Sequence, residues 1–211
     1  MEASPIWQPA PHHPPVTITA LPSRRTTLSI PDRIAYFRMA LVPAILTLIL
    51  LAEHIDHSLE IAAALMGVAV FSDFLDGYLA RRWKITTVFG AFLDQIADKL
   101  LVAGAMYGLV GIGRVWAWAA FIIVAREIAV SGLRGLAAMD GEVVHPSIWG
   151  KIKATVQYLA ILLALLRIET TYWGLYLDQW VVGLAVAVTV LSGYEYFSRF
   201  ARVLRSNRTT A

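Results

Sequence analysis

Six long apolar stretches constrain the fold of this 211-residue chain more than any other feature. A helix of about 20 apolar residues is long enough to cross the hydrocarbon core of a bilayer. Charged residues make up only 16% of the chain, against about 25% in soluble domains. The sequence therefore predicts an all-α integral membrane protein with six transmembrane helices. The predicted spans run from about Ile34 to Leu51, Leu59 to Leu79, Val88 to Ile112, Val115 to Ala138, Ile152 to Leu166 and Leu177 to Phe197.

The segments that flank the apolar stretches have a different composition. Residues 1–29 are rich in Pro, His, Ser and Thr and contain no apolar run, which predicts a disordered cytoplasmic tail rather than a signal peptide. A short helix over Ile30 to about Phe37 is expected on the membrane surface before the first span. The membrane domain is expected to cover residues 30–205, followed by a tail over 206–211. The absence of cysteine excludes disulfides, thiol nucleophiles and cysteine-ligated metals.

Basic residues indicate how the spans are oriented. With both termini in the cytoplasm, the opposite side carries only Arg114 and Arg167, as the positive-inside rule expects. The excess of basic over acidic residues, 18 against 15, is too small to predict a nucleic-acid partner. The basic residues assigned to the cytoplasmic side are Arg24, Arg25, Arg33, Arg81, Arg82, Lys84, Arg134, Lys151, Lys153, Arg199, Arg202, Arg205 and Arg208.

Four aspartates interrupt the second and third spans. Asp73 and Asp76 are three residues apart, and Asp94 and Asp98 are four apart, so each pair lies on one face of its helix. The short connection predicts an antiparallel hairpin in which the four carboxylates converge. Left unpaired in lipid they would cost on the order of 10 kcal/mol. Hard oxygen donors in such a cluster suit two Mg²⁺ or Mn²⁺ ions and phosphoryl chemistry, although salt bridges or a proton relay are alternatives.

Small and basic residues beside these aspartates predict a phosphate ligand. Gly77, Ala80 and Gly90 would let a ligand approach the helices closely, although such residues also serve helix packing. Arg81 can bind a phosphate through two parallel hydrogen bonds.

Residues 73–98 carry a longer pattern, which reads DFLDGYLAR, then eight residues, then GAFLDQIAD. It resembles, without a mismatch, the signature of the CDP-alcohol phosphotransferase family, D-x2-D-G-x2-A-R-x8-G-x3-D-x3-D. The resemblance implies a six-span membrane enzyme, usually a homodimer, with two divalent metals at a site that faces the cytoplasm. It further implies that Asp73 and Asp94 are shared by both metals, that Asp76 binds one metal, and that Asp98 binds the other and is the catalytic base. The residues implied to contact the CDP group are Gly77, Arg81 and Thr87.

Two further strings resemble the phosphatidylglycerophosphate synthase branch, REIAVSGLR over 126–134 and GKIKATVQ over 150–157. In the first span, Pro31 and Arg38 match the pattern of that branch, whereas Asp32 and Ala35 replace its usual Asn and Thr. Alternatives to an acceptor role are a pairing of Arg126 with Glu127 and membrane-surface anchoring by the two lysines. The residues expected to hold the acceptor's phosphate are Arg126, Arg134, Lys151 and Lys153.

The resulting expectation is an enzyme of the cell membrane that converts CDP-diacylglycerol and sn-glycerol 3-phosphate to phosphatidylglycerophosphate and CMP. Alternatives within the class use an inositol phosphate or phosphatidylglycerol as the acceptor. A divalent-cation or proton-coupled transporter is a more distant alternative, because intramembrane carboxylates occur in transporters. An inactive scaffold is disfavoured by the complete set of aspartates.

Overall fold

The computed structural model describes the backbone of residues 30–83, 88–139 and 148–209, and the side chains of residues 33–75, 90, 92–136, 150 and 152–198. This part of the chain forms six α-helices and one two-stranded hairpin. The predicted all-helical bundle is therefore observed, while the tail expected over residues 1–29 lies outside the described residues. The elements are α1 (Ile30–Leu50), α2 (Ser58–Trp83), α3 (Val88–Gly111), α4 (Ala117–Met139), α5 (Ile148–Leu166), β1 (Thr171–Tyr172), β2 (Leu175–Tyr176) and α6 (Leu177–Thr209).

Each stretch predicted to span the membrane corresponds to one helix, with differences at the two ends of the described chain. The residues expected to form a separate surface helix, Ile30 to Phe37, are instead the first turns of α1, which continues through Pro43 to Leu50. The helix continues from these residues into the rest of the predicted span without a break, and Pro43 does not end it. Helix α6 extends past the predicted end of its span at Phe197 and includes residues 206–209, which were expected to form a tail.

Some of the described helices have the length and composition of membrane-spanning segments. Among the described residues, α1, α2 and α6 are long and apolar enough to cross a bilayer, and Ile152–Leu166 of α5 is a shorter apolar helix. Helices α3 and α4 each carry three charged residues within their apolar sequence, which lowers their hydropathy. Those residues are Asp94, Asp98 and Lys99 on α3 and Arg126, Glu127 and Arg134 on α4. The chain is a membrane protein, and α3 and α4 are two of the four helices that line the site described below.

The other four helices pack around α3 and α5. Helix α1 lies against α2 and α3, α5 contacts α2, α3 and α6, and α4 packs between α3 and α6. The approach of α1 to α3 is close at Gly104, where an added Cβ atom would lie 2.7 Å from Cγ1 of Val42. Large buried side chains fill the interior, among them Ile45, Ile49, Met66, Leu101, Met106, Leu109, Ile123, Ile161 and Leu165.

A short hairpin joins α5 to α6 and was not predicted from the sequence. Strands β1 and β2 are antiparallel, with Thr171 opposite Tyr176 and Tyr172 opposite Leu175. The two residues between them, Trp173 and Gly174, both have positive φ angles, 55° and 82°, as a two-residue hairpin turn of type I′ requires. Two-residue strands are too short to produce a recognisable alternating pattern, so the sequence gives no signal for them.

Candidate active site

A cavity of about 280 Å³ opens between four helices, toward the end of the bundle where α2 and α4 end and α3 and α5 begin. Acidic side chains reach it from α2, α3 and α4, and basic side chains reach it from α3, α4 and α5. The structure therefore brings the described aspartates that were predicted to bind metals close to the described basic residues that were predicted to bind the acceptor's phosphate. The charged and phenolic residues that line the cavity are Asp73, Asp94, Asp98, Lys99, Arg126, Glu127, Arg134, Lys153 and Tyr158.

The acidic side of the cavity is organised by an arginine from α1. Arg38 is completely buried, and its guanidinium donates one hydrogen bond from Nη1 to Asp73 Oδ1 and one from Nη2 to Asp94 Oδ1, the second at 2.9 Å. The carboxylates themselves are open to solvent, with 38% of the Asp73 side chain and 45% of the Asp94 side chain exposed. Arg38 thus holds together two acidic groups from different helices and compensates part of their mutual repulsion.

Asp98 has a different partner. The phenol of Tyr158, on α5, donates a hydrogen bond to Asp98 Oδ1. Lys99 is adjacent in sequence, but its ammonium donates to the backbone carbonyl of Gln95 at 2.9 Å. The predicted base is therefore oriented by a neutral donor from a helix that also contributes to the basic side of the cavity.

The basic side combines α4 and α5. Lys153 is buried, and its ammonium pairs with the carboxylate of Glu127. Arg126 lies 3.4 Å from the same Glu127 oxygen and donates a shorter bond of 2.7 Å to Ser192 Oγ. Its Nε is buried without a hydrogen-bond partner among the described residues. The pairing of Arg126 with Glu127 is therefore observed, and Arg126 also lines the cavity, while its contact with the acceptor's phosphate stays a prediction.

Helix α6 provides hydrogen-bond acceptors for the two arginines of α4. Arg134 donates from Nε to the hydroxyl of Tyr196 at 3.1 Å, and its guanidinium carbon lies 5.3 Å from the centre of the Tyr196 ring. Ser192 and Tyr196 are four residues apart and therefore lie on one face of α6. This face fixes the guanidinium groups of Arg126 and Arg134 relative to the cavity.

For several predicted site residues the structure describes no more than the backbone. They are Asp76, Gly77, Ala80, Arg81 and Lys151, and Thr87 lies wholly outside the described residues. Gly90 is described and is half-buried on α3, one helical turn before Asp94. Surface anchoring does not account for Lys153, because this side chain is only 6% exposed and ion-paired. The nucleotide-binding role expected for the glycines and Arg81 stays a prediction.

The aspartates offer suitable donors for divalent cations, although the described side chains do not by themselves complete a metal site. Carboxylate oxygens are the ligands that Mg²⁺ and Mn²⁺ prefer, and Asp73 and Asp94 present theirs to an open cavity. Within the described side chains, no three acidic or histidine residues lie close enough to surround one ion. Asp76, which the sequence assigns to the same cluster, is not among them. The chemistry of the donor set fits the predicted metals.

Four residues that organise the cavity were not predicted from the sequence. They are Arg38 as the partner of two aspartates, Tyr158 as the donor to Asp98, and Ser192 and Tyr196 as supports for the arginines. A usable signal existed for Arg38, because a charged residue in an apolar span requires an opposite charge nearby. The two α6 residues gave only the weak signal of polar groups at helical spacing.

Known protein sequences are similar to this chain over most of its length. The sequence model of the family described as CDP-alcohol phosphatidyltransferase matches residues 28–191. This match includes the five helices from α1 to α5 and the part of α6 as far as Leu191.

Individual relatives cover most of the chain. A Bacillus subtilis protein named CDP-diacylglycerol--glycerol-3-phosphate 3-phosphatidyltransferase is 40% identical over 85% of this chain and 98% of its own length. A Mycobacterium tuberculosis protein named probable phosphatidylglycerophosphate synthase is 36% identical over 82% of both chains. A Rickettsia felis protein with the same name as the Bacillus one is 33% identical over 82% of this chain and 96% of its own.

Proposed function

The chain belongs to the CDP-alcohol phosphatidyltransferase family, and we propose that it transfers a phosphatidyl group from CDP-diacylglycerol to sn-glycerol 3-phosphate, forming phosphatidylglycerophosphate and CMP. The observation that carries this proposal is the meeting of acidic and basic side chains in one cavity. A reaction between a pyrophosphate and a phosphorylated alcohol needs both kinds of group within reach of the same phosphorus atom. Relatives whose names specify this reaction support the choice of substrates.

In the proposed reaction, a hydroxyl of glycerol 3-phosphate attacks the phosphorus that bears diacylglycerol. The bond from this phosphorus to the oxygen of CMP breaks, and CMP leaves with the electron pair. Asp98 accepts the proton of the attacking hydroxyl, and the hydrogen bond from Tyr158 holds its carboxylate in place. The rate enhancement comes mainly from positioning and from charges placed where the reaction needs them.

The aspartates would hold two divalent cations, with Asp73 and Asp94 shared between them and Asp76 and Asp98 each binding one. Bound there, the ions would neutralise the pyrophosphate and stabilise CMP as leaving group. Arg38 keeps the two shared carboxylates next to each other from the side opposite the cavity. Gly77, Ala80, Arg81, Thr87 and Gly90 are proposed to contact the CDP part of the lipid substrate.

The acceptor is proposed to bind at the basic side of the cavity. Arginines can bind a phosphate by two parallel hydrogen bonds, and lysine adds a point charge. Arg126, Arg134 and Lys153 lie around one opening on α4 and α5, and Lys151 is proposed to join them. A phosphomonoester, with up to two negative charges, matches this concentration of positive charge better than phosphatidylglycerol, whose phosphodiester carries one.

We place the cavity at the cytoplasmic face of the cell membrane, with six spans and both termini inside, because the basic residues favour that orientation. Nucleotide and glycerol 3-phosphate then arrive from the cytoplasm, and the acyl chains remain in the bilayer. Homodimer formation is an additional expectation.

The purified protein tests the proposal directly. Labelled CDP-diacylglycerol in mixed micelles is incubated with Mg²⁺ or Mn²⁺ and with glycerol 3-phosphate, an inositol phosphate or phosphatidylglycerol in turn. We expect CMP release and a phosphatidylglycerophosphate product only with glycerol 3-phosphate. Release with another acceptor and none with glycerol 3-phosphate would contradict the acceptor assignment. Uptake of divalent cations into proteoliposomes without CMP release would indicate a transporter instead.

A further inference from the structure

Arg38 stands apart from the other charged residues because it contacts the aspartates without lining the cavity. Its side chain is completely buried, whereas Asp73 and Asp94 expose 38% and 45% of theirs. The two carboxylates line the cavity, and Arg38 is not among its lining residues. The guanidinium therefore lies behind the carboxylates, on the protein side.

The hydrogen bonds from Arg38 to Asp73 and Asp94 connect three helices. Residue 38 is on α1, Asp73 is on α2 and Asp94 is on α3. The guanidinium is planar, so its two terminal nitrogens hold the bonded oxygens at a fixed separation. A lysine ammonium would supply the same charge without this planar geometry.

We propose that Arg38 is a positioning residue that pre-organises the divalent-cation site by fixing Asp73 and Asp94 relative to each other. The inference rests on the proposed function, because that function supplies the reason for a metal site. Partners that orient metal ligands from outside the coordination sphere typically contribute about 10–100-fold to metal affinity. In the absence of such a partner, two neighbouring carboxylates on separate helices repel each other and move apart.

A competing role for Arg38 makes the opposite prediction. If the guanidinium occupied the position of a metal ion, it would compete with that ion for the carboxylates, and removing Arg38 would tighten metal binding. The location of Arg38 behind the carboxylates favours positioning over competition, because a cation that enters from the cavity meets the carboxylates first.

Direct Mn²⁺ binding tests this role without reference to turnover. Free Mn²⁺ is measured by electron paramagnetic resonance in titrations of the detergent-solubilised full chain, without substrate. Asp73→Asn defines the background from other acidic groups. For Arg38→Lys, which keeps the buried charge and is expected to fold, we expect affinity to fall by about tenfold. Arg38→Gln should bind more weakly still.

Exposed Arg33 on the same helix provides the matched control, and Arg33→Lys and Arg33→Gln should bind Mn²⁺ like the unmodified chain. Affinity within twofold of that chain in Arg38→Lys, tighter binding in either Arg38 variant, or no Mn²⁺ binding by the unmodified chain would each overturn the proposal. Parallel assays separate it from the proposed function. If the unmodified chain binds Mn²⁺ but does not use glycerol 3-phosphate, only the acceptor assignment fails, and the titrations still decide the role of Arg38.

Discussion

A buried charge in an apolar bundle requires compensation, and this protein provides it through contacts between side chains of different helices. Lys153 on α5 pairs with Glu127 on α4, and Arg38 on α1 bonds to aspartates of α2 and α3. Removing one member of a buried pair leaves the other uncompensated, which costs several kcal/mol. Variants at these positions are therefore informative only when charge and volume are controlled separately.

Lys153→Met keeps most of the side-chain volume and removes the ammonium. We expect the KM for glycerol 3-phosphate to rise about tenfold or more, since a hydrogen bond to a charged group contributes about 1.5–3 kcal/mol. The KM for CDP-diacylglycerol should change little. Initial-rate kinetics with each substrate varied in turn measure both values.

The double variant Lys153→Met with Glu127→Gln separates binding from charge imbalance. If the loss of acceptor affinity arises only because Glu127 repels the phosphate, the double variant restores the KM. A persistent increase in the acceptor KM supports direct binding by Lys153. Equal increases for both substrates in the single variant would place Lys153 outside the acceptor pocket.

Tyr158→Phe removes only the hydroxyl that donates to Asp98. We expect kcat to fall about tenfold with little change in either KM, because a hydrogen bond to a charged group contributes on the order of 1.5–3 kcal/mol and this one orients the proposed base. Tyr107, which is exposed on α3, supplies the control variant Tyr107→Phe. Unchanged kcat in Tyr158→Phe would remove the phenol from the reaction.

At the scale of helices, the site depends on how closely α1 approaches α3. Glycines on α3 at positions 104 and 108 face side chains of α1, and an added Cβ at Gly108 would lie 3.0 Å from Cγ2 of Ile49. Small residues at helix contacts allow such close packing in membranes, where van der Waals contact replaces the hydrophobic effect. The same two helices carry Arg38 and Asp94, so their separation also sets the geometry of the acidic cluster.

Gly104→Ala tests this packing. The new methyl would lie 2.7 Å from Cγ1 of Val42, a branched side chain with few alternative rotamers. Overpacking of this kind typically costs about 1–3 kcal/mol, so we expect a lower melting temperature in detergent. Gly67→Ala on α2 is the control, because nothing lies within 4 Å of its added Cβ. Equal melting temperatures for the two variants would contradict a tight α1–α3 contact.

At the scale of the whole molecule, the two ends of the bundle differ in chemistry. One end holds the cavity with its acidic and basic sides. The other carries the hairpin, where Trp173 is 95% exposed, and Arg114, which donates to the carbonyls of Ala164 and Leu165 at 2.9 and 2.7 Å. These carbonyls belong to the last turn of α5 and have no partner within their own helix. We expect the cavity to lie at the membrane face that supplies the polar substrates.

Single cysteines can establish the orientation, because the chain has none of its own. We introduce Thr171→Cys in the hairpin and Thr26→Cys in the N-terminal segment. In intact cells, a membrane-impermeant maleimide should label the hairpin cysteine and should reach the other only after permeabilisation. The reverse pattern would place the cavity on the outer face.

Local sequence determined the bundle and the central chemistry of this protein. Apolar length predicts the helices, because lipid requires every backbone polar group to be satisfied within its own segment. The spacing of Asp73 from Asp76 and of Asp94 from Asp98 predicts which helix faces carry acid, since residues three or four apart share a face. The family pattern of these residues is long enough to identify the class of reaction.

Only the tertiary structure decided which side chains meet. Arg38 and Asp94 are 56 residues apart, Asp98 and Tyr158 are 60 apart, and Arg126 and Ser192 are 66 apart. Periodicity assigns a residue to one face of a helix, but it does not specify the neighbouring helix that this face contacts. That choice depends on packing across the whole bundle, including the close approach of α1 to α3 at Gly104.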